Sequence, residues 1–333
     1  MTPTLERLIG KQRLWLHGSL FILTLYTTTL AGVGWLGKDP FDLANFHYGL
    51  EYSLLLLLFL SAHEFGHFIT ARIHGVNATL PYYIPFPGMM MGMPVNFGTF
   101  GAVIRTRQRI PSRSIIFDIG VAGPIAGFIV CVAILAIGFA TLPGIEYLQS
   151  IHPDYPFVHP QPGMGELFFG KTLLYSFMEK VFANPNGYVP PMSEMYHYPM
   201  LCVGWFGLFV TALNLLPVGQ LDGGHLMYGL FPKKIHRLIG IAVVCCLALL
   251  SLPELIVGLA GDSLPKVFSW LEKIAIPGGA SWIMWVLIII FVIKFRHPAA
   301  LDESPMNMRR KIIGVLTILI FIVSFTPSPL VQQ

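Results

Sequence analysis

The stretch Leu54-Leu55-Leu56-Leu57-Leu58-Phe59-Leu60-Ser61-Ala62-His63-Glu64-Phe65-Gly66-His67 sets three ionisable side chains inside a run of leucines. An apolar run of that kind is a membrane span when it approaches 20 residues. The whole chain agrees with that reading. Of 333 residues, 54% are hydrophobic and 11% charged, against about 25% charged in an ordinary soluble domain. So few charges cannot cover a soluble globule of this size, and so many apolar residues exclude disorder. The chain therefore reads as an all-α polytopic membrane protein. Its rare intramembrane polar residues become the candidates for chemistry.

Working outward from the leucine run, seven segments are apolar enough to be spans: about 18–36, 50–71, 114–142, 198–217, 238–260, 280–294 and 311–328. The first run lacks an Ala-x-Ala-like exit, so no cleavable signal is expected. Basic residues collect in cytoplasmic loops. Segments 1–17, 72–113, 218–237 and 294–311 hold 16 of the 21 Lys and Arg residues, and the alternate loops hold 5. The split predicts a multi-pass protein in the lipid bilayer with a cytoplasmic N-terminus, seven crossings and an exterior C-terminus. Residues 1–237 are expected to form a core with an exterior cap loop at 143–197, and residues 238–333 to add further spanning helices. Cys131, Cys202, Cys245 and Cys246 lie in apolar runs without a CxxC pair, so they read as small buried hydrophobes. Phosphate-binding glycine motifs are absent, and no nucleic-acid partner is expected.

His63-Glu64-x-x-His67 places two imidazoles on one helix face, separated by about 40° of rotation. Such a pair can grip one metal ion, with Glu64 beside it to move protons. With 11 His and 10 Glu, accident yields this motif about 0.01 times per chain of this composition. Burying the three groups without a compensating ion would also be expensive. A catalytic zinc site needs a third protein ligand. The extended motif is not met, because Thr70 and Ile73 stand where Gly and His would, and no Asp or Glu occurs from 68 to 117. Two later acids remain, Asp118 and Asp222. Asp222 is favoured, because its segment, like HExxH, runs into a cytoplasmic loop and so lies at similar depth. In Asn214-Leu215-Leu216-Pro217-Val218-Gly219-Gln220-Leu221-Asp222-Gly223-Gly224-His225, Pro217 and Gly219 should unwind the helix. Irregular backbone at membrane depth belongs beside a protein or water-lined cavity. Asp118 is expected to pair with Arg113 or cap its helix, and His225 to support the site or its turn. Glu254 is expected at the interface, and Gly123, Gly127 and Gly138 in helix packing.

His63-Glu64-x-x-His67 together with Asn214-x-x-Pro217-x-x-x-Leu221-Asp222-Gly223 resembles the site-2 protease family of intramembrane zinc metalloproteases, over roughly residues 50–230. Gly123-Pro124-x-x-Gly127 is similar to that family's small-residue helix. The resemblance implies one Zn2+ held by His63, His67 and Asp222, Glu64 as general acid/base, and Asn214 assisting near the scissile carbonyl. It implies cleavage of a single-span transmembrane protein near its cytoplasmic side, as in regulated intramembrane proteolysis. The exterior loop is too short for the PDZ domain many members carry, and no CBS pair is expected after the last span.

Between the motifs, Pro81–Arg113 carries too many Pro and Gly residues for a spanning helix. Asn96-Phe97-Gly98-Thr99-Phe100-Gly101-Ala102-Val103-Ile104 reads as a short strand with close-approach glycines. A re-entrant β-hairpin-like loop after the second span is expected, its edge holding an unwound substrate segment by strand addition. Gly98 and Gly101 are its candidate substrate-assisting residues. A metal- or proton-handling transporter is the competing reading. Inverted repeats and polar residues strung through several spans would mark one; here polarity concentrates in two motifs. An idle binding scaffold would have no need of Glu64.

Overall fold

Helix α1 (Leu14–Trp35) and helix α2 (Leu50–Ile73) are joined by a tight turn over Leu43–Gly49, started by the Asp42 side chain accepting the Ala44 N–H. Thr27, Thr28 and Thr29 of α1 return their hydroxyls to carbonyls one turn back, so these three polar side chains are satisfied within an apolar helix. Helix α2 ends with the Val76 N–H on the Ala71 carbonyl and the Gly75 N–H on the Arg72 carbonyl, which satisfies its last free acceptors. These features come from a computed structural model, which describes residues 12–93, 96–108, 110–155, 167–295 and 300–332. Arg7, Lys11, Arg109 and Arg296, four of the 16 basic residues counted above, lie outside the described residues, as do Pro94 in the loop after the second span and Pro156 in the cap loop.

A two-stranded pairing follows α2 where a re-entrant hairpin-like loop was expected. Strand β1 (Tyr82–Pro85) pairs antiparallel with β2 (Thr99–Val103), with an irregularity between Tyr83 and Pro85. It is anchored on α1 by the Thr27 hydroxyl, which donates to the Gly98 carbonyl at 2.7 Å. Helix α3 (Arg113–Ala140) follows, capped by the Ser112 hydroxyl accepting the Ile115 N–H and containing Pro124. The cap contributes α4 (Ile145–Ile151), β3 (Leu167–Phe169) and α5 (Leu173–Phe182). Then come α6 (Pro199–Asn214) and α7 (Asp222–Leu230). Beyond them lie α8 (Lys233–Ala260), α9 (Trp270–Ile274), α10 (Trp282–Ile288), α11 (Met308–Ser324) and β4 (Leu330–Gln332).

The centre of the bundle is α2, α3 and α6. Helix α6 is buried along most of its length and puts Trp205 and Leu208 into one core with Leu56, Phe59 and Leu135. Among the described residues, four helical stretches are long and apolar enough to cross a membrane: Leu14–Trp35, Leu43–Ile73, Arg113–Ala140 and Lys233–Ala260. The span expected at 280–294 is instead one arm of a pair, Lys266–Ile274 and Gly279–Ile293, bent by 86°. Glu254 of α8 holds that bend, its carboxylate accepting the Gly278 and Ala280 N–H groups at 2.8 and 2.6 Å; its role is a staple rather than a bare interfacial charge. The spans expected at 198–217 and 311–328 are helices of 16 and 17 residues, shorter than a free-standing span requires. Breakers explain the first: Pro199 begins α6 and Pro217 lies just past its end.

The helix ends gather into two faces. On one, Arg113 donates from Nε to the Tyr228 carbonyl and from Nη2 to the Phe231 carbonyl, both at 2.6 Å, and Lys233 pairs with Glu303. Asp118 belongs to this face as well. It receives a two-pronged contact from Arg310 at 2.8 and 2.7 Å and lies 3.0 Å from His74 Nε2. The expected Asp118–Arg113 pair is therefore corrected: Arg113 is occupied by carbonyls, and a guanidinium from α11 takes the carboxylate. On the other face, β3 pairs antiparallel with β4, bringing the end of the chain onto the cap.

Candidate metal centre

HExxH occupies the buried half of α2. His63, Glu64 and His67 are 4%, 7% and 7% exposed. Asp222 reaches them from far along the chain. After Asn214 ends α6, the Val218 N–H bonds to the Leu216 carbonyl and Gly219 takes φ +56, a left-handed conformation that glycine adopts without strain. The chain thereby reverses, and Asp222 becomes the first residue of α7. Gly223 and Gly224 permit the reversal, because a Cβ at either would meet the Leu215 or Gly219 carbonyl at 2.0 or 2.3 Å. An aspartate expected on an unwound loop thus sits at the first turn of a short helix.

Three donor atoms meet. His63 Nε2 and His67 Nε2 lie 3.1 Å apart, and each is 3.3 Å from Asp222 Oδ2. Donors bound tetrahedrally at zinc–ligand lengths stand about 3.3 Å apart. The three atoms therefore match a zinc ion's ligand spacing without adjustment. The His67 Nδ1–H donates to the Ile119 carbonyl at 2.7 Å, which leaves the Nε2 lone pair free for an ion. Two imidazoles and a carboxylate are also the donor chemistry zinc favours. The residues present fit the group.

The surroundings leave room for that arrangement. A Cβ on Gly123 would lie 2.1 Å from His67 Nε2, and one on Gly127 would lie 3.3 Å from His63 Nδ1. The small-residue face of α3 is thus the space in which the ligating rings sit, beyond its role in helix packing. Asn214 Nδ2 lies 3.4 Å from His63 Nε2. Ile104 follows directly on β2. All of these residues except the glycines open onto one cavity of about 770 Å³, which also exposes Ala102, Val103 and His225.

The structure thus brings together His63, Glu64, His67, Asn214 and Asp222. Gly98 lies apart, pressed on α1, where a Cβ would be 2.4 Å from the Thr27 carbonyl. Gly101 takes φ +93 within β2 with open space on its Cβ side. The Ile119 carbonyl was not foreseen, because a main-chain group carries no residue signature. Gly123 carried one, but its ring-facing position follows only from the crossing of α2 and α3.

A multi-pass helical protein with this buried donor set and an adjacent glutamate has the build of a membrane zinc metalloprotease. Residues 51–251, more than half of the chain, match peptidase family M50, and the chain belongs to that family, as its likeness to site-2 proteases implied. It is 34% identical over 202 residues to "Probable zinc metalloprotease EGY1, chloroplastic" of Arabidopsis thaliana, covering 60% of this chain and 32% of that protein. It is 27% identical over 223 residues to "Probable zinc metalloprotease EGY2, chloroplastic" of the same plant, covering 65% and 36%. A "DDT domain-containing protein PTM" of Arabidopsis thaliana matches at 33% over 156 residues, covering 46% of this chain and 8% of that one. The chain spans about a third of the length of the metalloprotease relatives. No solved structure matches it.

Proposed function

We propose that the chain is an intramembrane zinc endopeptidase that hydrolyses a peptide bond in an unwound transmembrane segment near the cytoplasmic side of the bilayer. The observation that carries this reading is the near-equilateral set of His63 Nε2, His67 Nε2 and Asp222 Oδ2, beside a buried glutamate and at the wall of a cavity. His63, His67 and Asp222 hold one Zn2+. When bound, the ion supplies Lewis-acid chemistry to water and to the scissile carbonyl. Glu64 takes the proton of the attacking water and passes it to the leaving amine. Asn214 donates its amide hydrogens to the oxygen that gains negative charge.

A peptide bond inside a helix is shielded by its own hydrogen bonds, so the substrate must first be unwound. The free edge of β2, continuing into Ala102, Val103 and Ile104 on the cavity wall, is suited to bind the unwound strand. In this reading the hairpin enters the membrane beside the site, Gly101 keeps the strand edge clear, and Gly98 seats the hairpin on α1. The substrate class is a single-span membrane protein, and the role is regulated intramembrane proteolysis. Residues 1–237 form the proteolytic core and 238–333 add further membrane helices.

Glu64→Gln, purified and offered a single-span test substrate, should keep its zinc and lose cleavage by 10²-fold or more. Cleavage at the wild-type rate would overturn the assignment.

A further inference from the structure

A second group of ligand-type side chains lies in the cap, one α6 length from the first. His152 Nε2 is 2.9 Å from His197 Nε2, and Glu194 Oε2 is 3.4 Å from His197 Nε2 and 3.7 Å from His152 Nε2. We propose that His152, Glu194 and His197 form a separate binding site for a zinc-class divalent cation, whose role is to pin the cap to the helix bundle.

Three observations carry it. The first is spacing: all three donors lie within the range that one ion can bridge, around the ~3.3 Å that separates tetrahedral ligands of zinc. The second is orientation. The His197 Nδ1–H donates to the Trp35 carbonyl at 2.6 Å, so Nε2 turns its lone pair into the cluster. His67 is held the same way in the first site, by the Ile119 carbonyl. The third is an unmet group. Glu194 is 8% exposed, yet its Oε2 has no hydrogen-bond partner among the described residues while facing both rings. A ring-to-ring hydrogen bond would account for the two histidines alone. It leaves a buried carboxylate oxygen unsatisfied, which is costly without a cation. His152, about half exposed, gives the ion a path from solvent and an open coordination position.

The ligands join three parts of the chain. His152 follows α4, and Glu194 and His197 lie on the turn that leads into α6. Through His197, the group reaches the carbonyl at the end of α1. The Tyr147 hydroxyl also donates to the His197 carbonyl at 2.8 Å. A cation here fixes the cap end of α6, whose far end carries Asn214 about 24 Å away. Glu194-x-x-His197 was the signal in the sequence, an i, i+3 ligand pair that a loop reading passed over.

The test separates this site from the first. Full-length protein carrying His63→Ala and His67→Ala, stripped with chelator, is titrated with Zn2+ by calorimetry. It should still bind one equivalent, and His152→Ala added to it should weaken that binding at least tenfold. No retained zinc, or unchanged affinity after His152→Ala, overturns the proposal. If the double variant does not fold, metal analysis of the otherwise intact chain decides. Two zinc ions in the wild type against one in His152→Ala support the site, and equal counts refute it. A failure of the proteolytic reading would leave the difference of one zinc ion between the two chains unaffected.

Discussion

Gly123 has the narrowest tolerance of any residue facing the first metal centre. Its missing side chain is the space filled by the His67 ring, and a methyl group would overlap Nε2 at 2.1 Å. Both the ring and the helix backbone are fixed, the ring by its bond to the Ile119 carbonyl. Gly123→Ala should therefore weaken zinc retention at least tenfold, read as metal content after dialysis against a mild chelator. Gly138→Ala, which meets Met200 rather than a ligand, should leave the zinc in place. Equal zinc in the Gly123 variant and the wild type would refute the packing argument. At this scale His63, Glu64 and His67 were legible because helix periodicity alone puts them on adjoining faces. Asp118 was not. Its partner, Arg310, lies 192 positions away, and only the docking of α11 selects it over the nearer Arg113. Removing that contact by Arg310→Ala should cost about 2 kcal/mol of stability, as for hydrogen bonds to a charged group. The expected readout is a lowered melting temperature in detergent with zinc content unchanged; an unshifted melt would mean the pair contributes nothing.

In the proposed mechanism, binding of an unwound segment depends on the β1–β2 hairpin. The strand content of 96–104 could be read from its glycines and β-formers, and β2 falls inside that stretch. What could not be read is which surface each strand takes: β1 packs on α1, whereas β2 runs past Glu64 into the cavity wall. Helix α6 shows the opposite case. Its apolar run suggested a span of ordinary length, but Pro199 and the Pro217 turn limit it to 16 residues. Proline at 101 cannot adopt φ +93. Gly101→Pro should thus distort the edge of β2 and abolish cleavage of a single-span substrate, while zinc content stays at the wild-type level because no ligand lies on the hairpin. Normal cleavage by that variant would exclude the strand edge as the substrate cradle.

Across the whole molecule, the way the loops meet bears on how often the chain crosses the bilayer. Among the described residues four stretches qualify by length and a bent pair makes a fifth, whereas the charge asymmetry calls for seven crossings. The contacts between loops bear on the choice independently of charge. Asp302 receives the Arg113 N–H, and Glu303 pairs with Lys233, so loops on either side of α8 and the bent pair meet on one face. Strand β4 pairs with β3 of the cap, which puts the end of the chain with the loop between α3 and α6. An even number of crossings must separate those two strands. Counting α6, α8, the bent pair and α11 as one crossing each satisfies this, and with α1, α2 and α3 the sum is seven. In that arrangement α6 completes its span with non-helical ends, Tyr198 on one side and Leu215, Leu216 and Val218 on the other, that are buried in the protein, which the bilayer tolerates. A chain with its four native cysteines replaced, carrying Asp302→Cys or Ser328→Cys, can be labelled in intact cells with a membrane-impermeant maleimide. Label should reach Ser328→Cys from outside, and Asp302→Cys only after the membrane is opened. Labelling of both from the same side would remove the seven-crossing arrangement, and with it the cytoplasmic placement of the cleavage site, while leaving the donor set of His63, His67 and Asp222 untouched.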